Sequence, residues 1–206
     1  MGRDRDVAAF DARADGYETG WLGELHRRIA DRSADLALSL APAPRRVLDV
    51  GCGTGYLLRQ LAARSPDTAE LTGVDPAPAM LEAARSATAH GRLRWQWGTA
   101  EALPFPAGSF DLVVSTTSFD HWTDQPAGLA QCARVLAPGG LLVLADLFST
   151  LLAPTLIAGR RDKARTKRRA SRLLAAAGFR DISWHDIDAV LVRAVTARTA
   201  AAETRA

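Results

Sequence analysis

The stretch Val47-Leu48-Asp49-Val50-Gly51-Cys52-Gly53-Thr54-Gly55 constrains the fold more than any other part of the chain. Val47, Leu48 and Val50 read as a short buried strand, the glycines spaced two apart as a sharp turn, and Tyr56 to Ala63 as a helix leaving it. Without Cβ atoms such a loop can take positive φ and lie against a ligand, while N–H groups at the helix start attract negative charge. The unit is suited to a nucleotide-like ligand.

The spacing narrows that ligand. A dinucleotide fingerprint, G-x-G-x-x-G, places its third glycine or an alanine at position 56, where this chain carries Tyr56. That weakens the NAD reading. Asp49, at the strand tip, suits a ligand with an amino group as well as a carboxylate. About twenty residues further on, Leu71-Thr72-Gly73-Val74-Asp75 reads as a second strand ending in an acid able to accept both ribose hydroxyls. Amino acid, ribose and base together describe S-adenosyl-L-methionine.

Further segments follow in order: Ala100-Glu101-Ala102-Leu103-Pro104-Phe105, Phe110-Asp111-Leu112-Val113-Val114-Ser115 and Arg134-Val135-Leu136-Ala137-Pro138-Gly139-Gly140. With these, the chain from about Arg45 to Asp146 resembles the class I S-adenosylmethionine-dependent methyltransferases, in particular the small type 11 methyltransferase domain. The resemblance implies an α/β fold: a Rossmann-like doubly wound seven-stranded sheet, mostly parallel with an antiparallel C-terminal strand, plus N-terminal cap helices. It also implies methyl transfer from S-adenosyl-L-methionine to an acceptor whose O, N or C atom the sequence does not name.

The length and the nearly half apolar composition fit one globular domain. Within it, residues 1–44 would form cap helices, 45–147 the cofactor-binding core, 148–196 a basic helix and the last two strands, and 197–206 a tail. No apolar run approaches a membrane span of about 20 residues, and the N-terminus lacks a signal-peptide pattern, so a cytoplasmic protein is expected. Cys52 and Cys132 form no disulfide framework. No metal site is assigned.

Two helices are expected before the core, near Asp6 to Ala14 and from about Leu22 to Leu40. Leu25, Ile29, Leu36 and Leu40 would stripe the second, with Arg27, Arg28, Arg32 and Asp35 facing water. By resemblance, such helices cap the cofactor pocket. Tyr17 would then face the sulfonium, where its ring can favour a cation by roughly 0.5 to 2 kcal/mol; alternatively Tyr17 and Trp21 anchor the helices to the core. Pro76 and Met80 open a helix after Asp75 and, by resemblance, pack on the adenine, although a Met at helical spacing also serves as core.

Leu93 to Trp97 reads as a third strand with Leu93, Trp95 and Trp97 on one face. Relatives often carry an Asp at the position of Thr99 to hold the adenine amino group. Here the Thr99 hydroxyl and the backbone of Ala100 would take that part, while Glu101 is either a ligand residue or solvated surface. The fourth strand, Phe110 to Val114, leads into Ser115-Thr116-Thr117-Ser118-Phe119-Asp120-His121-Trp122. Ligands in open α/β sheets sit beyond the strand C-termini where strand order reverses. Methyl transfer needs an aligned acceptor and, for a hydroxyl, removal of a proton. His121 can take it and Asp120 can orient the imidazole or act instead; otherwise both line the pocket.

A helix is expected from Asp124 to Ala137, then a turn at Pro138-Gly139-Gly140 and a fifth strand from Leu141 to Leu147. Residues 160–172 contain eight basic side chains against one acid, Asp162. Such a run fits a solvated helix face, an anionic small-molecule acceptor, or nucleic acid. Nucleic acid is disfavoured by the lack of interleaved aromatics, of an Asn-Pro-Pro-Tyr motif and of a Pro-Cys nucleophile. A protein that binds the cofactor without transferring methyl is the other alternative. Ile182 to His185 and Ala189 to Val195 close the chain as a hairpin. Oligomeric state is not legible.

Overall fold

The computed structural model of the protein describes residues 3–12, 14–68, 70–88, 91–148, 166–188 and 192–202. Its strands are β1 (Arg46–Val50), β2 (Glu70–Asp75), β3 (Leu93–Trp97), β4 (Phe110–Thr116), β5 (Leu136–Leu147), β6 (Arg180–Asp188) and β7 (Val192–Arg198). They form one seven-stranded sheet in the order β3-β2-β1-β4-β5-β7-β6. All pairings are parallel except those of β7, which runs antiparallel to both β5 and β6. Strand order reverses between β1 and β4, so a crevice opens beyond their C-terminal ends.

The helices are α1 (Arg3–Asp11), α2 (Gly20–Leu40), α3 (Tyr56–Arg64), α4 (Pro78–Ser86), α5 (Gln125–Val135) and α6 (Lys167–Ala176). Alternate strand residues feed two cores. Leu48, Val50, Val113, Leu142 and Leu144 face α5 and α6; Val47, Leu112, Val114, Leu141 and Val143 face α2 and α3. This two-sided burial is why the strands read as unbroken apolar runs.

Several boundaries differ from expectation for physical reasons. Helix α5 stops at Val135, and β5 begins at Leu136: Phe110 pairs with Leu136, a bulge follows, and Leu112 pairs with Leu141. Pro138 to Gly140 therefore lie inside an extended strand rather than in a turn before it. On α2 the buried stripe consists of Ile29, Ala30, Ser33, Ala34 and Ala37, small residues that let the helix lie close on the sheet, and Leu40 is exposed. Arg28 and Arg32 do not simply face water. Both ion-pair with the nearly buried Asp188, tying α2 to the end of β6. Trp21 is 76% exposed, which removes it as a core anchor. Thr196 to Arg198 belong to β7, paired with Leu141 to Val143, rather than to a tail. The expected strand start at Ala189, the basic residues 160–165 and the last four residues lie outside the described residues.

Candidate functional site

The glycine loop takes its shape from what lies beneath it. Gly51 and Gly53 hold φ of +75° and +51°, and Gly55 holds +79° as the N-cap of α3. The Trp95 indole from β3 is wedged under the loop. A Cβ at Gly55 would stand 2.7 Å from Trp95 Cζ3, and one at Gly73 would stand 2.6 Å from Cε3 of the same ring. Gly55 is thus a packing residue, buried and absent from the cleft wall. Ser118 Oγ similarly occupies the space of a side chain at Gly51.

Four of the loop's amides are already engaged, contrary to expectation. Gly51 N–H and Cys52 N–H donate to Val74 O at 2.8 and 3.1 Å, Gly53 N–H to Asp75 Oδ2 at 2.8 Å, and Gly55 N–H to Cys52 O at 2.9 Å. A diphosphate would therefore find these amides already engaged. Carboxylates gather instead. Asp75 lines the cleft and also accepts Ala77 N–H at 2.9 Å, so each of its oxygens serves the backbone while keeping lone pairs for a ligand. Asp49 is 1% exposed, its Oδ1 has no hydrogen-bond partner among the described residues, and burial, then Asp75, pushes its pKa up to about 8. Burial also raises the Asp75 pKa, against the two N–H donors.

The cleft occupies about 840 Å³ including its open mouth. Of the sequence-derived candidates, the structure brings Tyr17, Gly51, Gly53, Asp75, Pro76, Met80, Thr99, Ala100, Glu101 and His121 together in its wall. Asp49, Cys52, Gly55, Ser115 and Asp120 are not in that wall. Cys52 is buried with its sulfur against Gly73, burial raising its pKa, and borders a smaller cavity under the loop. Ser115 is fully buried and donates to Val50 O at 2.8 Å, which corrects its assignment to ligand contact. Glu101 Oε1 accepts Asp124 N–H at 3.1 Å, at the start of α5.

The N-terminal cap closes the cleft from above. Asp11 accepts Ala79 N–H at 2.9 Å, and Phe10, Val7 and Ala14 pack on Ala77 and Met80. Glu18 accepts the Thr54 hydroxyl at 2.5 Å and Arg59 at 2.7 Å, fastening the cap to the glycine loop. On the far wall, His121 sits in a short 3-10 turn, Phe119–His121. The Asp120 N–H of that turn donates to Asp146, a buried acid at the end of β5 whose pKa burial raises.

Residues 47–140 match a methyltransferase domain model. Over 196 residues the chain is 35% identical to the malonyl-[acyl-carrier protein] O-methyltransferase of Geobacter sulfurreducens, covering 88% of this chain and 72% of that one. The chain belongs to the class I S-adenosylmethionine-dependent methyltransferases. It is also 41% identical over 133 residues to the demethylmenaquinone methyltransferase of Deinococcus radiodurans, covering 64% of this chain and 51% of that one. The chain spans about half the length of several curated relatives it matches. A methyltransferase solved with the Haloferax volcanii Trm112 methyltransferase activator shares its fold, with a TM-score of 0.78 at 22% identity over 93% of this chain and 97% of that one.

Within the loop that the sequence places beyond the fourth strand, Thr116, Thr117, Ser118 and Trp122 also line the cleft, as does Phe10 of the cap, none of them singled out in the sequence. A strand reading carried two residues past Val114 would have placed Thr116 at the strand end. The sequence reading also overlooked His26, which stacks on Tyr17 at 4.9 Å, and Asp146, neither of which carries a local signal.

Proposed function

We propose that this methyltransferase moves a methyl group from S-adenosyl-L-methionine to a small-molecule acceptor, releasing S-adenosyl-L-homocysteine. One observation carries the reading: four of the glycine loop's amides are spent inward while Asp75 keeps lone pairs toward the cleft, an arrangement suited to ribose hydroxyls rather than a phosphate. The residues fit such a ligand. Asp75 would hold the ribose hydroxyls with its remaining lone pairs. Pro76 and Met80 on one wall and Thr99 and Ala100 on another would enclose the adenine. Gly53 lies under the Tyr17 ring, with a Cβ there meeting Tyr17 Cε1 only at 4.0 Å, so the loop can carry the amino-acid end. Asp49, when ionised, adds negative potential under the loop.

When bound, the cofactor supplies a carbon already activated by its sulfonium. The chain's own residues then align the acceptor and receive its proton. His121, exposed at the rim, is placed to accept that proton, and Asp146 positions its turn through Asp120 N–H. Cys52 and Cys132 are free thiols buried in the core, which supports a cytoplasmic setting. Among the described residues no helix is long and apolar enough to cross a membrane.

Calorimetric titration of the ligand-stripped protein with S-adenosyl-L-methionine, S-adenosyl-L-homocysteine and NADH tests the cofactor. Micromolar binding of the first two and none of NADH supports the reading; NADH alone binding overturns it. Release of S-adenosyl-L-homocysteine with an added acceptor then separates a transferase from a protein that only binds the cofactor.

A further inference from the structure

A second groove opens beside the cleft and shares Phe10, Tyr17, Thr117 and His121 with it, adding Leu22 and His26. Four of its nine described lining residues carry rings, and these rings meet one another. Phe10 meets His121 edge-on at 4.9 Å and 90°, Tyr17 stacks on His26 at 4.9 Å and 26°, and Phe10 and Tyr17 stand 6.3 Å apart. Among the described residues no Lys, Arg, Asp or Glu lines this groove. The cleft beside it contributes only the acids Asp75 and Glu101. Arg27 borders the smaller cavity under the loop, where its guanidinium donates to Glu18 O. The described cations of α6 lie elsewhere: that helix packs on α5 and β6, and none of its residues lines the groove.

We infer that this groove takes a neutral, ring-bearing acceptor that receives the methyl on a hydroxyl. The inference rests on the transferase reading and names its substrate class. A carboxylate or phosphate entering here would shed water and meet no Lys or Arg among the described lining residues, with two carboxylates next door. A flat neutral ring meets aromatic edges and faces. The Thr117 hydroxyl and the imidazoles of His26 and His121 offer both donors and acceptors to a hydroxyl. Burial lowers the His26 pKa, which favours its neutral ring. The balance of the step is simple: the acceptor oxygen–carbon bond forms as the carbon–sulfur bond breaks, and the hydroxyl proton passes to a groove imidazole and on to solvent. Leu22, half exposed, and Trp21 beside it give the rim an apolar approach.

The test compares 2-naphthol with 2-naphthoate, one ring system carrying either a hydroxyl or a carboxylate, at saturating S-adenosyl-L-methionine. 2-Naphthol is expected to show at least a tenfold higher kcat/KM, and equal or better use of 2-naphthoate overturns the inference. Leu22→Arg puts a cation at the groove rim without touching the cleft; it should shrink the preference at least tenfold while the cofactor Kd stays within twofold. An unchanged preference in that variant also overturns the inference. Both compounds are titrated separately in the presence of S-adenosyl-L-homocysteine. Failure of 2-naphthol to bind there sinks the groove assignment. Binding of 2-naphthol without methylation supports the groove's preference and counts against the transferase reading instead.

Discussion

Replacing Gly55 by alanine should destabilise the protein through two separable effects. At φ +79° a Cβ costs about 1–2 kcal/mol in backbone strain. The same Cβ would stand 2.7 and 2.9 Å from Cζ3 and Cζ2 of Trp95. The indole cannot slide away, because the space above Gly73 already holds its other edge. Overpacking of this kind costs about 1–3 kcal/mol, so the total should be roughly 2–5 kcal/mol. A double-mutant cycle separates the two contributions. In a Trp95→Ala background the steric part disappears and only the strain remains, leaving a coupling energy of about 1–3 kcal/mol. Urea unfolding of the four proteins, with m values unchanged, measures it. A coupling below about 0.5 kcal/mol would show that the indole does not dictate glycine at this position.

Asp75→Ala should weaken cofactor binding by at least tenfold and acceptor binding much less, because both its oxygens also hold the loop and α4; equal losses in calorimetry would contradict its ribose role. His121→Ala should lower turnover by on the order of 10² with cofactor affinity nearly unchanged, and unaltered turnover would leave it as lining. Asp49, with its pKa near 8, stays protonated in the fold while the unfolded chain ionises from about pH 4. The unfolded chain then binds fewer protons, so stability of the unliganded protein should fall between about pH 4 and pH 8, by up to about 1.4 kcal/mol per pH unit from this group. Asp75 and Asp146 shift in the same direction and add to that slope. Asp49→Asn should flatten the profile in urea titrations across that window, and an unaltered slope would reject the assignment. Asp188→Ala removes the partner of Arg28 and Arg32 and should cost only about 1 kcal/mol, since both arginines are half exposed; a loss above about 3 kcal/mol would mean the link between α2 and β6 carries more than surface pairing.

The strands and the place of the cleft were legible because β1, β2 and β4 are short runs that lead into Gly51, Asp75 and the Ser115 loop. Each is a local pattern with a physical cause. What escaped was tertiary. The inward turn of the loop amides depends on Val74 O and on Asp75, residues more than twenty positions away. The start of β5 depends on Phe110 offering Leu136 a partner before the bulge, which overrides the helix-like pattern and the Pro-Gly-Gly signal. Leu40 fits a helical stripe yet is exposed at the last position of α2. His26 and Asp146 are single residues whose meaning comes only from Tyr17 and the His121 turn across from them.

The cap's fastening has a bearing on the order of events in turnover. Glu18 grips Thr54 and Arg59 of the loop that floors the cleft, while Phe10 and Tyr17 of the same cap wall the groove. Because one cap roofs the cleft and walls the groove, sequential loading is the expected outcome: cofactor first, acceptor second, with the demethylated cofactor leaving last. Inhibition by S-adenosyl-L-homocysteine should accordingly be competitive against S-adenosyl-L-methionine and noncompetitive against the acceptor, and a competitive pattern against both would mean that the cap opens for each independently.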